Sequence, residues 1–163
     1  MSSVAIIASF RQHYEAVLAV REVFLARGIE VTSPIGSPII EPGIPFVRFE
    51  ADSYQASDPA VQSIAVHRIL RADAVYVVAP DGYVGRTTCY EIGRVVQAGR
   101  PLYFSEVPKD LPICVPSPRV VSAEVLASML IQPGTRLMPL HQEGDDESCL
   151  LERKALNGTF ISD

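Results

Sequence analysis

The sequence predicts a three-layer α/β sandwich, a parallel sheet of about five strands with helices packed on both faces. Three observations predict it. Short, unbroken apolar runs such as Val4-Ala5-Ile6-Ile7-Ala8 and Ala74-Val75-Tyr76-Val77-Val78 read as strands buried on both sides. Between such runs, apolar residues recur at helical spacing. Glycines stand where those helices should stop, at Gly28 and Gly99.

The elements follow in order. Val4 to Ala8 is the first strand. From Gln12 to Arg27, Val17, Leu18, Phe24 and Leu25 mark a helix closed by Gly28, and Ile29 to Thr32 reads as a second strand. Ser33 to Pro45 is a connection rich in proline and glycine, and ordered loops of that length are often functional. Phe46-Val47-Arg48-Phe49 alternates and reads as an extra strand or hairpin arm. Asp58-Pro59 looks like an N-cap followed by proline at the first helical position, opening a helix that runs to about Arg71. Ala74 to Val78 is the third strand, ended by Pro80-Asp81-Gly82. Thr88 to Ala98 is a helix with Ile92, Val95 and Val96 on one face. Pro101 to Phe104 gives a fourth strand, Arg119 to Val121 a fifth, and Ser122 to Ile131 a closing amphipathic helix. Residues 132–163 differ in character, mixing Gly144-Asp145-Asp146-Glu147 with Leu150 and Leu151. An extended arm on a neighbouring subunit is the favoured reading there, and a partly disordered tail stays open.

Length and charge narrow the function. The 163 residues suit one domain, residues 1–131, plus that C-terminal segment. Hydrophobic residues at 48% and charged ones at 20% exclude a disordered chain. Fourteen basic against nineteen acidic residues give −5, and the only lysines are Lys109 and Lys154. A nucleic-acid polymer needs clustered cations and is not expected as a partner, whereas a small phosphorylated ligand needs one or two arginines. No apolar run approaches the roughly 20 residues of a membrane span, and Val4 to Ala8 is too short for a signal peptide, so a soluble, cytoplasmic protein is expected. Cys89, Cys114 and Cys149 are odd in number and lack CxxC spacing. Neither a disulfide framework nor a zinc site is expected, and the scattered His13, His67 and His141 predict no structural metal.

In parallel sheets ligands bind beyond the carboxyl ends of the strands, near the switch in strand order. That rule selects Ser9-Phe10-Arg11, Ala79-Pro80-Asp81-Gly82 and Ser105-Glu106. Residues 81–93 are the most informative, because they leave a buried strand, cross a loop bearing Gly82 and Gly85, and enter a helix. A helix start offers unpaired N–H groups to an anion, and glycine lets the backbone come close to it. Glu91 has two readings here. Thr88-x-x-Glu91 fits a capping box. The same spacing puts a carboxylate in the first turn, where the helix dipole stabilises the anion by roughly 0.3–1 kcal/mol. An ionised carboxylate at a cleft mouth is what glycosyl transfer needs as nucleophile.

Ala72-Asp73-Ala74-Val75-Tyr76-Val77-Val78, followed by Asp81-Gly82, Thr88-x-x-Glu91-Ile92-Gly93 and Gly99-Arg100-Pro101-Leu102, resembles the nucleoside 2-deoxyribosyltransferase-like family. Ser9-Phe10-Arg11 is similar to the Ser-x-Arg phosphate-contacting turn of that family's nucleotide N-glycosidases. The resemblance spans about residues 4 to 105 and is most specific over 73–101. It implies a flavodoxin-like, Rossmann-like sheet, and cleavage of the N-glycosidic bond of a nucleoside or nucleotide without a cofactor. It makes Glu91 the nucleophile, with the glycosyl ester resolved by water in a hydrolase or by a second base in a deoxyribosyltransferase. Relatives commonly form homo-oligomers, which leaves that state open here.

One departure stands out. The family usually carries a second carboxylate on the preceding helix, but Ile64-Ala65-Val66-His67-Arg68 has none, so His67 reads as the acid for the leaving base or, as is commoner for a lone helix histidine, as a structural or exposed residue. Arg11 reads as a phosphate holder, with Ser9 as a hydroxyl donor beside it, or equally as an exposed arginine that caps nothing. Phe10 reads as core or base platform. Asp81 and Gly82 read as ribose contacts or as an ordinary turn, Tyr83 as a stacking face or a loop cover, and Thr87 and Thr88 as polar groups at the helix start. Cys89 has no neighbouring histidine and is not expected to act as a thiol nucleophile. Two alternatives stay open: a non-catalytic nucleotide-sensing module, and cleavage of nicotinamide from NAD by a single glutamate.

Overall fold

The computed structural model describes residues 1–35 and 57–159. Most of the Ser33–Pro45 connection, and all of Phe46–Phe49, therefore lie outside the described residues. Four strands form one parallel sheet: β1 (Ser3–Ala8), β2 (Glu30–Ser33), β3 (Ala74–Val78) and β4 (Leu102–Phe104), in the order β2-β1-β3-β4. Five helices accompany them: α1 (Phe10–Leu25), α2 (Asp58–Leu70), α3 (Arg86–Gln97), α4 (Ala123–Ile131) and α5 (Glu147–Leu156). This is a flavodoxin-like, Rossmann-like α/β sandwich.

The unbroken apolar strands are explained by the two cores they serve. Val4, Ile6 and Ala8 of β1 face a core with Val17 and Phe24 of α1 and Leu126 of α4. Ala5 and Ile7 face the opposite core, with Ile69 of α2 and Ile92 and Val95 of α3. Ile6 and Ile7 are buried on opposite sides, and burying each contributes about 1.5–3 kcal/mol. The central pair, β1 beside β3, runs in register from Val4–Ala74 to Ala8–Val78. The chain leaves β1 towards β2 on one side, while β3 leads to β4 on the other. The connections diverge at the carboxyl ends of β1 and β3 and open a crevice there.

Helix starts fall in two groups. Ser57 caps α2, one residue ahead of the expected Asp58, and its Oγ accepts from the Ala60 N–H at 3.4 Å. Ser122 caps α4 through the Val125 N–H at 3.4 Å, and Asp146 caps α5 through the Cys149 N–H at 2.9 Å. α1 and α3 begin at Ser9 and Gly85 with no side-chain cap.

The expected fifth strand is corrected. Val120 makes a single bridge to Phe104, and Ser117–Arg119 is a 3₁₀ turn. The Arg119 and Val120 N–H groups are spent on the Pro116 and Ser117 carbonyls inside that turn, at 2.8 and 3.1 Å, and the buried Arg119 side chain turns towards the C-terminal segment. Its guanidinium donates to the Met138 and Pro139 carbonyls at 2.6 and 3.1 Å, pairs with Glu143 at 3.0 Å and lies 4.9 Å above the Tyr103 ring. Leu140 enters the second core. Met138 to Leu140 thus lie against this chain's own core, and Leu150 and Leu151 further on are exposed.

The expectation of no disulfide is also corrected. Cys114 and Cys149 are bridged, with Cα atoms 5.8 Å apart, tying α5 to the segment after β4. Asp146 stands beside them, 3.1 Å from the Cys114 sulfur. With both sulfurs spent in the bridge, this cluster is a cross-link. No helix among the described residues is long and apolar enough to cross a membrane.

Candidate active site

A cavity of about 610 Å³ opens at the carboxyl ends of β1 and β2, beside the segment that follows β3, within the roughly 300–1,000 Å³ usual for small-molecule sites. Its walls are the turn from β1 into α1, the end of β2 with Ser33 to Ile35, the inward face of α2, and residues 83–88 with Glu91. Of the residues singled out from sequence, Ser9, Phe10, Arg11, Tyr83, Thr87, Thr88 and Glu91 line it together.

Glu91 sits differently from either reading of its spacing. The helix begins at Arg86, with Gly85 as N-cap, so Thr88 is already in the first turn and Glu91 in the second. The capping box is not formed. Glu91 is instead 6% exposed, and its Oε1 accepts from Gln62 Nε2 at 2.9 Å. Burial pushes its pKa up from 4.5 to about 7, and the Gln62 bond pulls the other way. The expected dipole-stabilised anion is therefore corrected. Desolvation outweighs the other effects, and the group is poised to exchange a proton near neutrality.

The two uncapped helix starts meet at the cavity. A Cβ on Gly85 would stand 3.1 Å from Ser9 Cβ and 3.2 Å from Ser9 Oγ, closer than packing normally allows. Glycine is what lets the starts of α1 and α3 approach, so that both border one space. Thr88, 1% exposed, forms part of the same wall. Tyr83 closes one edge, with its ring edge-on to His13 at 5.7 Å.

Charge is one-sided here. Arg11 of α1, Arg68 of α2 and Arg86 of α3 all line the cavity, and none forms an ion pair among the described residues. Arg68 and Arg86 were not singled out from sequence. Nor was Gln62, although Val61, Ala65 and Arg68 share its cavity-lining stretch of α2 at helical spacing.

The remaining candidates lie elsewhere. His67 is exposed on α2 and is not among the residues lining the cavity, so the structure does not bring it to Glu91. Asp81, exposed at φ 57°, and Gly82, at φ 73°, form a 3₁₀ turn outside the cavity wall. A Cβ on Gly82 would meet the Val107 oxygen at 2.7 Å, and the Gly82 carbonyl accepts from the Lys109 N–H at 3.0 Å. That is the ordinary-turn reading. Ser105 braces the end of β3, its Oγ accepting from the Ala79 N–H at 2.9 Å, and Glu106 is exposed. The Cys89 thiol is pushed up by burial and then by Asp110, which disfavours the nucleophilic thiolate.

No protein-family model, no curated protein and no solved structure matches this chain.

Proposed function

We propose that this protein acts at the N-glycosidic bond of a nucleoside or 5′-nucleotide, with Glu91 as nucleophile. The observation that carries the reading is one buried carboxylate, the only one among the described residues lining a cavity with apolar walls, whose other polar groups are arginines, hydroxyls and side-chain amides beside the starts of α1 and α3. A Glu91 oxygen attacks the anomeric carbon of the sugar, the carbon–nitrogen bond breaks, and its electron pair leaves on the base, which takes up a proton. The resulting ester is opened by water, returning the carboxylate and a free sugar, or by a second base in a transfer. A pKa of about 7 leaves a substantial ionised fraction at neutral pH. Arg11 and Arg86, beside the starts of α1 and α3, are suited to a 5′-phosphate. Tyr83 offers a face to the base.

The location of His67 favours a second reading, a nucleotide-binding module without turnover, because no acid reaches Glu91 from that position. Both readings meet in one experiment. Nucleosides, 5′-nucleotides and NAD are incubated with the parent and with Glu91→Gln, and released base is followed by chromatography. Release by the parent, reduced at least about a thousandfold in the folded variant, is expected. Thermal stabilisation by a nucleotide without any release selects the binding module. Equal release by both proteins removes Glu91 from the chemistry.

A further inference from the structure

We propose that Gln62 is the positioning residue of this site: its side-chain amide, presented by α2, holds one oxygen of the Glu91 carboxylate so that the other meets the anomeric carbon. The inference rests on Glu91 being the nucleophile. A carboxylate has two equivalent oxygens and turns freely about its last bond unless something fixes it. Here Gln62 Nε2 donates to Oε1 at 2.9 Å, and both side chains line the cavity.

The amide is itself held on a fixed element. Val61, Val66 and Ile69 bury the inward face of α2, Ser57 caps its start, and Thr32 Oγ1 donates to the Arg68 carbonyl at 2.9 Å near its end. An amide suits the task because it donates without titrating. An acid in its place would compete for the proton of Glu91, whereas Gln62 supports the ionised form at every pH. The charged and titratable groups sharing the cavity are Arg11 of α1, Arg68 of α2, Arg86 of α3 and the Tyr83 phenol. None of them donates a hydrogen bond to Glu91 among the described residues.

The test uses the full chain carrying Gln62→Leu, with Gln62→Met as a second variant of similar length in case the first does not fold. Two readouts are taken. Protonation of Glu91 is followed by carboxyl carbon NMR, assigned by the signal lost in Glu91→Gln, and base release is followed across pH. In folded variants the Glu91 midpoint is expected to rise by about one pH unit. At neutral pH kcat is expected to fall about tenfold, with KM altered less than about threefold.

The alkaline plateau separates orientation from ionisation. At high pH Glu91 is ionised in every protein, so a plateau that stays below the parent's reports lost positioning. A plateau equal to the parent's overturns the proposal, and so does an unmoved midpoint. A parent that releases no base from any substrate sinks the glycosidic reading, and the catalytic role of Gln62 with it. In that case the NMR midpoint still shows whether the Gln62–Glu91 bond exists, so the two failures are distinct.

Discussion

Among the described residues, three helices are capped by a side chain at their start and two are not. α2, α4 and α5 start on Ser57, Ser122 and Asp146, each accepting from a backbone N–H three residues on. α1 and α3, whose starts border the cavity, have no such bond. The arginines divide in the same way. Arg119 is fully buried and engaged by two carbonyls, Glu143 and the Tyr103 ring, while Arg11, Arg68 and Arg86 face the cavity with no ion pair among the described residues. Where the chain has only to hold itself together, its donors and charges are answered from within. Around the cavity the arginines, with Arg11 and Arg86 exposed, are left to solvent, an arrangement open to a ligand that offers them partners.

The comparison is tested most severely by removing one arginine from each group. Arg119→Met strips donors from the Met138 and Pro139 carbonyls and leaves Glu143 without its partner. A loss of about 3–5 kcal/mol in urea unfolding is expected. Arg86→Met removes a cation that the fold does not use, so the unfolding midpoint should not move. Its effect should appear in nucleotide binding, weakened about tenfold when measured by calorimetry. If Arg86→Met unfolds as readily as Arg119→Met, the cavity arginines belong to the fold and the contrast is lost.

The scaffold was legible in the sequence because its signals are local. The runs Val4–Ala8 and Ala74–Val78 and the stops at Gly28 and Gly99 each report on their own neighbourhood. The fifth strand was misread because apolar content does not reveal that the Arg119 and Val120 N–H groups are spent inside a 3₁₀ turn, which leaves Val121 alone to bond Phe104. The site was legible only in outline. A glycine N-cap carries no side-chain signature, so the start of α3 was placed at Thr88 instead of Gly85. That displacement turned a buried second-turn carboxyl into a first-turn anion at a cleft mouth. Gln62 lies 29 residues from Glu91 and Cys114 lies 35 from Cys149. Such pairs are made by packing, and no short spacing announces them.

The buried carboxyl gives a pH-dependent version of the same contrast. Its folded pKa, about 7, lies above the ordinary 4.5 that it regains on unfolding. Between those values the folded chain holds a proton that the unfolded chain has released. Stability from this group therefore falls as pH rises through the window, and the full penalty is present above it. Glu91→Gln removes the penalty and can still accept from Gln62. At about pH 8 the variant should be more stable than the parent by on the order of 3 kcal/mol, a gap that closes near pH 4. Urea unfolding at several pH values reads it directly. A variant no more stable than the parent at the upper pH would show that the cavity holds its carboxylate without strain, and would take this residue out of the contrast.

The smallest effect separates two serines that occupy the same formal position. Ser122 and Ser9 are both N-cap residues, but only Ser122 accepts a bond from its helix, at 3.4 Å. Ser122→Ala should cost about 0.5–1 kcal/mol, the lower part of the range for capping serines, because that bond is long. Ser9→Ala should leave unfolding unchanged, since no cap is lost, and should weaken nucleotide binding if its hydroxyl meets the phosphate. Paired melting curves and binding isotherms on the two variants decide this. A Ser9→Ala variant that loses stability and keeps its affinity would make Ser9 an ordinary cap. The open start of α1 would then be a feature of the free chain alone, and the phosphate would have to be held by Arg11 and the start of α3.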